Sequence, residues 1–331
     1  PNKLGKPINC ITMNKILVTG GAGNVGSALV EKLILHKDNY VVIVDNLSTG
    51  FLTKLPKDYS ERWEFIKADV NDFMDISSIM VAHKFDYVFH FAAVVGVIRT
   101  QENPVKVLRD IDGIKNVLDL CKNTSVKRVF YSSSSEVYGE PVILPQHEHT
   151  TPLNSRVPYA VVKNVGESFC KSYYQEYHLN YTIFRFFNTY GPNQSTDFVI
   201  ARFLAAALEN KDITIYGDGS QTRTFTYIDD TVDTCLNCFY NDHQVNDVIN
   251  IGNDKLCTIL DLAKLIIELS ESRSRIVHIA PLKEGDMTRR QPDNEKMRMI
   301  LGRPLIKLED GIRKMLESKN FLSSIGLKTH L

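Results

Sequence analysis

The segment 15–45 constrains the fold of this 331-residue chain more than any other stretch. It begins with an apolar run of strand length and continues into a glycine-rich turn, a helical pattern and a second apolar run that ends on Asp45. The turn carries three spaced glycines, Gly20, Gly23 and Gly26. In such a turn one glycine makes the tight bend, one lets the backbone approach a pyrophosphate, and one lets the helix pack against the strand. The segment therefore predicts a dinucleotide-binding unit of the Rossmann type.

The acidic residue that ends the second strand indicates which dinucleotide is bound. Asp45 lies about 20 residues after the last glycine, where a carboxylate accepts hydrogen bonds from the adenosine ribose hydroxyls. The residues that follow it, Asn46, Leu47 and Ser48, include no basic side chain. Because the carboxylate would repel a 2′-phosphate, we expect NAD rather than NADP as the cofactor.

Strand runs and helical patterns alternate through the first half of the chain. Further strands are predicted at 65–70, 87–93 and 127–132, and amphipathic helices at 105–121 and 159–177. Such alternation is typical of a parallel sheet covered by helices on both faces. Beyond Asn188 it loosens into a helix at 198–208 and a short strand at 213–216. We therefore predict an α/β protein, a Rossmann-type doubly wound parallel sheet with a smaller C-terminal substrate-binding lobe.

Composition and charge exclude several classes of protein. Lysine plus arginine (39) balances aspartate plus glutamate (39), so neither nucleic acid nor a membrane surface is the expected partner. No apolar run reaches the length of about 18 residues that a membrane-spanning helix needs. Six scattered cysteines are typical of reduced thiols, and we expect a cytoplasmic protein. Residues 1–12 are polar and indicate a flexible extension or a cloning remnant rather than a signal peptide.

Two other sets of residues have a structural interpretation that we prefer to a functional one. Cys235 and Cys238 form a C-x-x-C pair near His243, but no second pair completes a four-ligand zinc site, so no metal is expected. His90 lies within an apolar strand, where a histidine is usually a hydrogen-bonded core residue rather than a catalytic one.

A tyrosine and a lysine open a long predicted helix. Tyr159 and Lys163 are four residues apart and so share one helix face. The serine run 132–135 and Glu136 directly follow the fifth predicted strand, at the edge of a parallel sheet where ligands bind. Beside a dinucleotide, an ammonium group and a hydroxyl are expected to lower the pKa of the phenol from its usual value of about 10. Tyr159 is therefore our candidate for a general base.

The combination of these motifs resembles the extended short-chain dehydrogenase/reductase family, and within it the nucleotide-sugar branch, the NAD-dependent epimerase/dehydratase group. The likeness runs from about residue 15 to about residue 308. It is carried by the glycine turn, Asp69, the serine run and the Tyr159–Lys163 pair, and by the segments 185–192, 217–225, 284–286 and 289–293. One departure is Asn24, where relatives usually carry an aromatic or aliphatic residue.

The resemblance implies how the chain is divided and how it assembles. Residues 13–187 would form the NAD-binding domain, to which the chain returns at about 224–251, and residues 188–331 would form mainly the nucleotide-sugar-binding lobe. Relatives pair through a four-helix bundle built from the helices predicted at 105–121 and 159–177. We therefore expect a homodimer or a dimer of dimers.

The resemblance also implies roles for individual residues. Tyr159 would take the proton from the 4-hydroxyl of the sugar, Ser134 would hydrogen-bond the same oxygen, and Lys163 would hold the nicotinamide ribose. The expected catalytic residues are Ser134, Glu136, Tyr159 and Lys163. The expected substrate contacts are Ser134, Ser135, Asn188, Arg223 and Arg290, of which the arginines suit a diphosphate. The expected cofactor contacts are Gly20, Gly23, Asn24, Val25, Gly26, Asp45, Asn46, Ser48, Asp69, Val70, Ala92, Ala93, Tyr159 and Lys163.

The step that follows oxidation at carbon 4 depends on Ser135 and Glu136. The dTDP-glucose 4,6-dehydratases carry an Asp-Glu pair here, and this chain lacks the aspartate. UDP-glucuronate decarboxylases show Thr-Ser-Glu at these positions, and this chain matches them except that Ser134 replaces the threonine. They also carry an arginine that Arg290 matches. They are therefore the family members closest to this chain in these motifs. A 4-ketone is β to the carbon 6 carboxylate, so oxidation alone prepares the loss of CO₂. The alternatives are a 4-epimerase, a plain 4-dehydrogenase or a 4,6-dehydratase acting on a neutral UDP-, GDP- or dTDP-sugar, and an NAD-sensing scaffold.

Overall fold

Seven strands form one central sheet in the computed structural model, which describes residues 13–280 and 289–327. The strands of these residues are β1 (Asn14–Thr19), β2 (Asn39–Asp45), β3 (Trp63–Lys67), β4 (Tyr87–His90), β5 (Arg128–Ser134), β6 (Asn180–Phe186), β7 (Thr189–Tyr190), β8 (Ile213–Tyr216), β9 (Thr222–Thr224), β10 (Thr226–Tyr227), β11 (Asp247–Ile251), β12 (Leu256–Thr258) and β13 (Ile276–Ile279). The helices are α1 (Asn24–Leu33), α2 (Phe73–His83), α3 (Val97–Glu102), α4 (Pro104–Leu108), α5 (Asp110–Asn123), α6 (Pro158–Tyr177), α7 (Val199–Leu208), α8 (Ile228–Tyr240), α9 (Ile259–Leu269), α10 (Glu295–Leu301), α11 (Leu308–Leu316) and α12 (Lys319–Ser324).

The central sheet has the strand order β11-β6-β5-β4-β1-β2-β3, and each neighbouring pair in it is parallel. The direction of winding reverses beside β1, which lies between β4 and β2. In open α/β sheets a ligand crevice forms at such a point, outside the carboxyl ends of the strands. The architecture confirms the predicted α/β fold with a Rossmann-type parallel sheet.

Alternate residues of the inner strands enter two separate cores, one on each face of the sheet. Ile16 and Val18 of β1 pack with α1 and α8, whereas Leu17 packs with α2, α5 and α6. All three side chains are fully buried. Strands buried on both faces are apolar throughout rather than alternating, which explains the continuous apolar runs in the sequence. With both faces covered, the loops at the strand ends are left to bind a ligand.

The C-terminal part adds small sheets to this core. β7 pairs with β10, β8 with β13, and β9 with β12, while β11 rejoins the central sheet beside β6. The helix predicted at 198–208 is α7, which begins one residue later, and the strand predicted at 213–216 is β8. None of the helices in the described part of the chain is long and apolar enough to cross a bilayer.

Three strand boundaries differ from the prediction: side-chain hydrogen bonds end two of the strands early, and backbone pairing extends the third. The strand predicted at 65–70 is Trp63–Lys67, and the next turn is held by the Asp69 carboxylate, which accepts from Asn71 N. The strand predicted at 87–93 ends at His90, after which Ala92 N donates to the Thr19 hydroxyl. The strand predicted at 127–132 continues to Ser134, because residues 132–134 pair with β6.

The single helix predicted at 105–121 consists of two helices, α4 and α5, which meet at Arg109. The hydrogen bond from Asp112 N to Arg109 O (2.9 Å) spans only three residues and tightens the chain at the junction. Asp110, the first residue of α5, is drawn toward the end of β4 because its carboxylate accepts a hydrogen bond from Val94 N. The helix predicted at 159–177 matches α6, which starts one residue earlier at Pro158.

Candidate active site

One large cavity of about 1550 Å³ lies at the carboxyl ends of the central strands. Every residue that the sequence predicts for catalysis, cofactor binding or substrate binding lines this cavity. Ligand pockets usually measure about 300–1000 Å³, so the cavity has room for a dinucleotide together with a second ligand. The segment 284–286, which contributes to the family resemblance, lies outside the described residues.

The glycine turn forms a cradle that a larger residue would fill. Gly20 has a left-handed backbone (φ +69°), and a Cβ there would come within 2.6 Å of Ala92 N. A Cβ on Gly26 would lie 2.3 Å from Gly20 O. Helix α1 starts at Asn24, and no side chain caps it. Its first backbone amides therefore lie at the edge of the cavity without a capping partner. The buried Oδ1 of Asn24 has no hydrogen-bond partner among the described residues. The glycine cradle and the uncapped amides of α1 fit the pyrophosphate of a dinucleotide.

The carboxylate of Asp45 is held at the end of β2 by backbone amides. Ala22 N donates to one oxygen (3.0 Å) and Leu47 N to the other (2.8 Å). Lys54, on the short 3₁₀ segment Leu52–Lys54, also lines the cavity. Burial lowers the pKa of Lys54, and the charge of Asp45 opposes this shift. A basic side chain therefore lies closer to Asp45 in space than the sequence indicates.

The end of β5 and the start of α6 bring the predicted catalytic hydroxyls together. Ser134 caps the 3₁₀ segment Ser135–Tyr138, and its Oγ accepts a hydrogen bond from Glu136 N (3.2 Å). The hydroxyl of Ser134 lies beside that of Tyr159 and lowers the pKa of the phenol as a hydrogen-bond partner. The ammonium of Lys163 lies 5.8 Å from the centre of the Tyr159 ring and donates to Ser132 O (2.6 Å). The Ser-Tyr-Lys arrangement expected from the sequence is thus assembled in one place.

The pKa of Tyr159 shifts in the direction opposite to the sequence-based expectation. Burial raises the pKa above its ordinary value, and the nearby charge of Glu136 raises it further. The hydrogen bond with Ser134 and the charge of Arg290 lower it, but they do not overcome the loss of hydration. The expectation that the lysine and a hydroxyl suffice to lower the pKa is therefore wrong for the protein alone. Burial also lowers the pKa of Lys163, to about 8.

Glu136 and Arg290 form an ion pair in the wall of the cavity. Arg290 Nη2 lies 3.3 Å from Glu136 Oε1, and the side chains are 9% and 20% exposed. The segment that carries Arg290 is fixed by backbone bonds from Gln146 N to Gln291 O and from Asp293 N to Gln146 O, both 2.8 Å. The sequence predicts both charged residues for the site, and the fold pairs them.

The remaining predicted substrate residues come from the C-terminal part. Arg223 on β9 is buried at the cavity wall and donates to Thr222 O (2.8 Å). Asn188 has a left-handed backbone (φ +36°), and its side chain donates to Thr224 O (3.0 Å). This bond ties the end of β6 to the strand that carries Arg223.

Sequence reasoning missed several charged residues that line the cavity, among them Lys54, Arg99 and Asp110. Arg99 on α3 forms an ion pair with Asp197 (2.7 Å) in the loop before α7. For Asp110 a signal existed, because it interrupts the apolar helical series Val107, Ile114, Val117 with a charge. Lys54 and Arg99 carry no such signal in the sequence.

His90 and the cysteine pair show no catalytic arrangement. His90 Nδ1 shares a hydrogen bond with Thr19 Oγ1 (2.9 Å), and burial lowers the pKa of His90 to about 3. The ring is therefore a neutral core group, as the sequence suggests. Cys235 and Cys238 are both buried on α8. Within residues 13–280 and 289–327, no three metal-ligating side chains come together.

Comparison with known proteins identifies the family. The model of the NAD dependent epimerase/dehydratase family matches residues 16–252. UDP-glucuronic acid decarboxylase 5 of Arabidopsis thaliana is 34% identical over 326 residues, which cover 96% of this chain and 92% of the relative. The UDP-glucose 4-epimerase of Thermotoga maritima, solved with UDP-glucose, superposes with a TM-score of 0.86 at 31% identity, covering 94% of this chain and 99% of that one. The UDP-glucose 4-epimerase of Thermus thermophilus, solved with NAD, gives 0.84 at 26% identity, with 92% and 98% coverage. The chain therefore belongs to the NAD-dependent epimerase/dehydratase family, a group of nucleotide-sugar enzymes of the short-chain dehydrogenase/reductase type whose cofactor is NAD.

Proposed function

We propose that the protein oxidises a UDP-glucuronate-type nucleotide sugar at carbon 4 and then decarboxylates it. The observation that carries this proposal is the ion pair of Glu136 and Arg290 beside Tyr159, within a Ser-Ser-Glu sequence. UDP-glucuronic acid decarboxylases at 34% identity over most of the chain support it. The absence of an aspartate before Glu136 argues against dehydration as the second step.

The cofactor fits the part of the cavity formed by the glycine turn. We propose that the pyrophosphate lies on the amides at the start of α1, that Asp45 accepts the adenosine ribose hydroxyls and that Lys163 holds the nicotinamide ribose. The cradle at Gly20 and Gly26 supports this placement. When bound, NAD would supply the acceptor for the hydride of carbon 4, the donor that returns it after CO₂ is lost, and a positive charge near the site.

Tyr159 and Ser134 act on the oxygen of carbon 4 in this scheme. The phenolate of Tyr159 removes the hydroxyl proton, and Ser134 orients the same oxygen by a hydrogen bond. After CO₂ leaves, the electrons of the broken carbon–carbon bond form an enolate between carbons 4 and 5. Its oxygen again accepts hydrogen bonds from Ser134 and Tyr159, which stabilise the negative charge. We propose that Glu136 relays the proton that carbon 5 then takes up: its carboxylate, held by Arg290, accepts a proton from water and passes it to carbon 5.

The substrate experiment separates decarboxylation from the alternatives. We expect the protein, incubated with UDP-glucuronate, to release CO₂ and to form a nucleotide pentose that mass spectrometry identifies. Changing Glu136→Gln should lower the steady-state rate of pentose formation by about 100-fold or more, because the group that relays the proton to carbon 5 is removed. The matched control is Glu268→Gln, an exposed carboxylate on α9, which should react at the unmodified rate.

A 4-epimerase is the second candidate, supported by the superposition on the Thermotoga maritima UDP-glucose 4-epimerase. Epimerisation needs Ser134, Tyr159 and Lys163 but no loss of carbon. If UDP-glucuronate is inert while a neutral UDP- or GDP-sugar returns with inverted carbon 4, the decarboxylase proposal is wrong. Oxidation of carbon 4 would then stand as the shared first step.

Asp45 offers a separate test of the cofactor assignment. Hydrogen bonds to a charged group contribute about 1.5–3 kcal/mol, so Asp45→Ala should weaken NAD binding about 10- to 100-fold. The same change should improve NADP binding, because Lys54 would lose the neighbouring carboxylate and could pair with a 2′-phosphate. Dissociation constants for both cofactors, measured by calorimetry, check this. Equal affinities for NAD and NADP in the unmodified protein would contradict the role of Asp45.

Domain division, assembly and location follow the family pattern in our proposal. Residues 13–187 with the returning segment 224–251 bind NAD, and residues 188–331 mainly bind the nucleotide sugar, which the contributions of Arg223 and Arg290 to the cavity support.

A homodimer or dimer of dimers is supported by exposed Val105 and Leu108 on α4, next to α6. Sedimentation at micromolar concentration distinguishes it from a monomer. We further propose a cytoplasmic location, supported by the five free cysteines among the described residues.

A further inference from the structure

We propose that Asn250 is a positioning residue that aligns the Glu136–Arg290 ion pair, because its one amide group holds the two separate segments that carry the members of the pair. The inference deepens the proposed function and rests on it, since that function gives the ion pair its part in the decarboxylation. Asn250 itself does not line the cavity, so it acts through the residues that it holds.

The oxygen of the Asn250 amide is bound to the segment that carries Glu136. Asn250 belongs to β11, which pairs with β6, and it is fully buried. Its Oδ1 accepts a hydrogen bond from the hydroxyl of Tyr138 at 2.7 Å. Tyr138 ends the 3₁₀ segment Ser135–Tyr138 and lies two residues after Glu136. This bond therefore fixes the short turn on which the Glu136 carboxylate stands.

The nitrogen of the same amide is bound to the segment that carries Arg290. Asn250 Nδ2 donates to Gln146 O at 2.8 Å and to Asp293 O at 3.3 Å. Gln146 O also accepts from Asp293 N, and Gln146 N donates to Gln291 O. These bonds fix the backbone directly after Arg290. One side chain thus links the two segments whose charges meet in the wall of the cavity.

The orientation of the amide is determined by its neighbours. Arg185 Nη1 donates to the Tyr138 hydroxyl (2.8 Å), so the proton of that hydroxyl is directed to the Asn250 oxygen. The two backbone carbonyl oxygens on the other side can only accept, so they need the NH₂ group. Glu148 Oε1 accepts from Asn250 N (2.9 Å) and holds the backbone of the residue as well. The position therefore requires an acceptor and a donor on the same side chain.

Two other side chains hold the segment 289–294 on the fold. Gln291 Nε2 donates to Asp254 O (3.0 Å), and Asn294 Nδ2 donates to Gly252 O (2.9 Å). Both acceptors belong to the loop that follows β11. Because these bonds remain when the amide on β11 is changed, we expect a loosened ion pair rather than a detached segment.

Asn250→Asp is the most selective variant, since it keeps the size of the side chain and the oxygen that faces Tyr138. An ionised carboxylate offers no proton to the two carbonyl oxygens, and a protonated one offers a proton to only one of them. We expect steady-state pentose formation from UDP-glucuronate to fall by about 10-fold, because the ion pair is loosened but both of its members remain.

The matched control is Asn39→Asp. Asn39 is also fully buried, and its Nδ2 donates to Leu33 O at 3.0 Å. It is the first residue of β2, at the edge of the sheet opposite the cavity. Asn39→Asp therefore loses a similar buried bond, and its turnover should equal that of the unmodified protein.

A double-variant cycle distinguishes positioning from a general loss of stability. In Glu136→Gln the ion pair is already gone, so adding Asn250→Asp should lower turnover further by less than about 2-fold. A loss of about 10-fold in both backgrounds would overturn the proposal, since Asn250 would then act independently of the pair. An unchanged rate in Asn250→Asp would overturn it too. If Asn250→Asp does not fold, Tyr138→Phe frees the amide from its oxygen end, and its loss of turnover should likewise disappear in the Glu136→Gln background.

Hydrogen exchange of the full-length protein, followed by mass spectrometry, measures the alignment without turnover. Asn250→Asp should speed exchange in the peptides that contain Gln146 and Asp293, whose amides join the two segments, and Asn39→Asp should not. Unchanged exchange in these peptides would contradict the proposal. If exchange responds while no nucleotide sugar reacts with the unmodified protein, the proposed function fails and the structural link stands. If sugars react but neither exchange nor turnover responds to Asn250→Asp, the positioning role fails alone.

Discussion

Replacing Tyr159 by phenylalanine is expected to lower turnover by about 10²- to 10⁴-fold while nucleotide-sugar and NAD binding persist. The change keeps the ring that packs at the start of α6 and removes only the ionisable oxygen. That oxygen is the group within hydrogen-bond reach of Ser134, beside the ammonium of Lys163 and the Glu136–Arg290 pair. Because the lost atom acts in the proton transfer, kcat should fall and KM should change little.

The measurement is steady-state turnover of UDP-glucuronate, together with calorimetric affinity for UDP-glucuronate and NAD. Tyr177→Phe is the matched control, since it removes a phenol oxygen from the exposed end of the same helix. Its turnover should equal that of the unmodified protein. Retention of more than about a tenth of the activity in Tyr159→Phe would exclude Tyr159 as the base.

The pH dependence of this step follows from the two shifted groups. Tyr159 must lose its proton, and burial together with Glu136 raises its pKa, so turnover should rise with pH on the acid side. Lys163 must keep its proton, and its pKa is about 8, so turnover should fall as pH rises above that value. The positive charge of bound NAD favours the phenolate, so the acid limb should move to lower pH as NAD saturates the site.

Local sequence signals were sufficient for the parts of the site that depend on a few neighbouring residues. Gly26 is required by a contact within a single strand–turn–helix unit, as the 2.3 Å distance from a Cβ on Gly26 to Gly20 O shows. Tyr159 and Lys163 share a helix face by their spacing alone. The central sheet was predictable for the same reason, because strands buried on both faces read as apolar runs.

Long-range pairing and burial could not be read from the sequence. Glu136 and Arg290 were both expected at the site, but their ion pair joins segments far apart in the chain. The proximity of Lys54 to Asp45 depends on how the loop after β2 folds back. The sign of the Tyr159 pKa shift depends on desolvation, which only the packed structure determines. The ends of β3 and β4 were misplaced because the side chains of Asp69 and Thr19 bind the backbone there, and that of β5 because its last residues pair with β6.

A buried ion pair directly behind the serine run leads to the second large expected effect. Arg185 on β6 donates from Nε and Nη2 to the two carboxylate oxygens of Glu167 on α6, at 2.8 and 2.7 Å. Both side chains are 1% exposed. The Ser133 hydroxyl donates to the same carboxylate (2.6 Å), and Arg185 also donates to the hydroxyl of Tyr138 (2.8 Å). The pair therefore supports the residues on both sides of Ser134.

Arg185→Met is expected to lower the free energy of unfolding by about 3–5 kcal/mol, because it leaves the Glu167 carboxylate buried without its cation. Urea denaturation followed by circular dichroism measures the loss. The double variant Glu167→Gln with Arg185→Met should lose less than the sum of the two single changes, since no uncompensated charge remains. Glu176→Gln, exposed on the same helix, is the control and should change stability by less than about 0.5 kcal/mol.

The double variant also determines what the pair does for the site. A loss below about 1 kcal/mol in Arg185→Met would mean that water reaches the carboxylate, contrary to the 1% exposure of both side chains. If the double variant regains stability but turns over UDP-glucuronate slowly, the pair holds Ser133 and Tyr138 in place for Ser134 as well as stabilising the fold. If it regains both stability and activity, the pair contributes to folding alone, and the alignment of Ser134 depends on its own hydrogen bonds to Glu136 N and Tyr159.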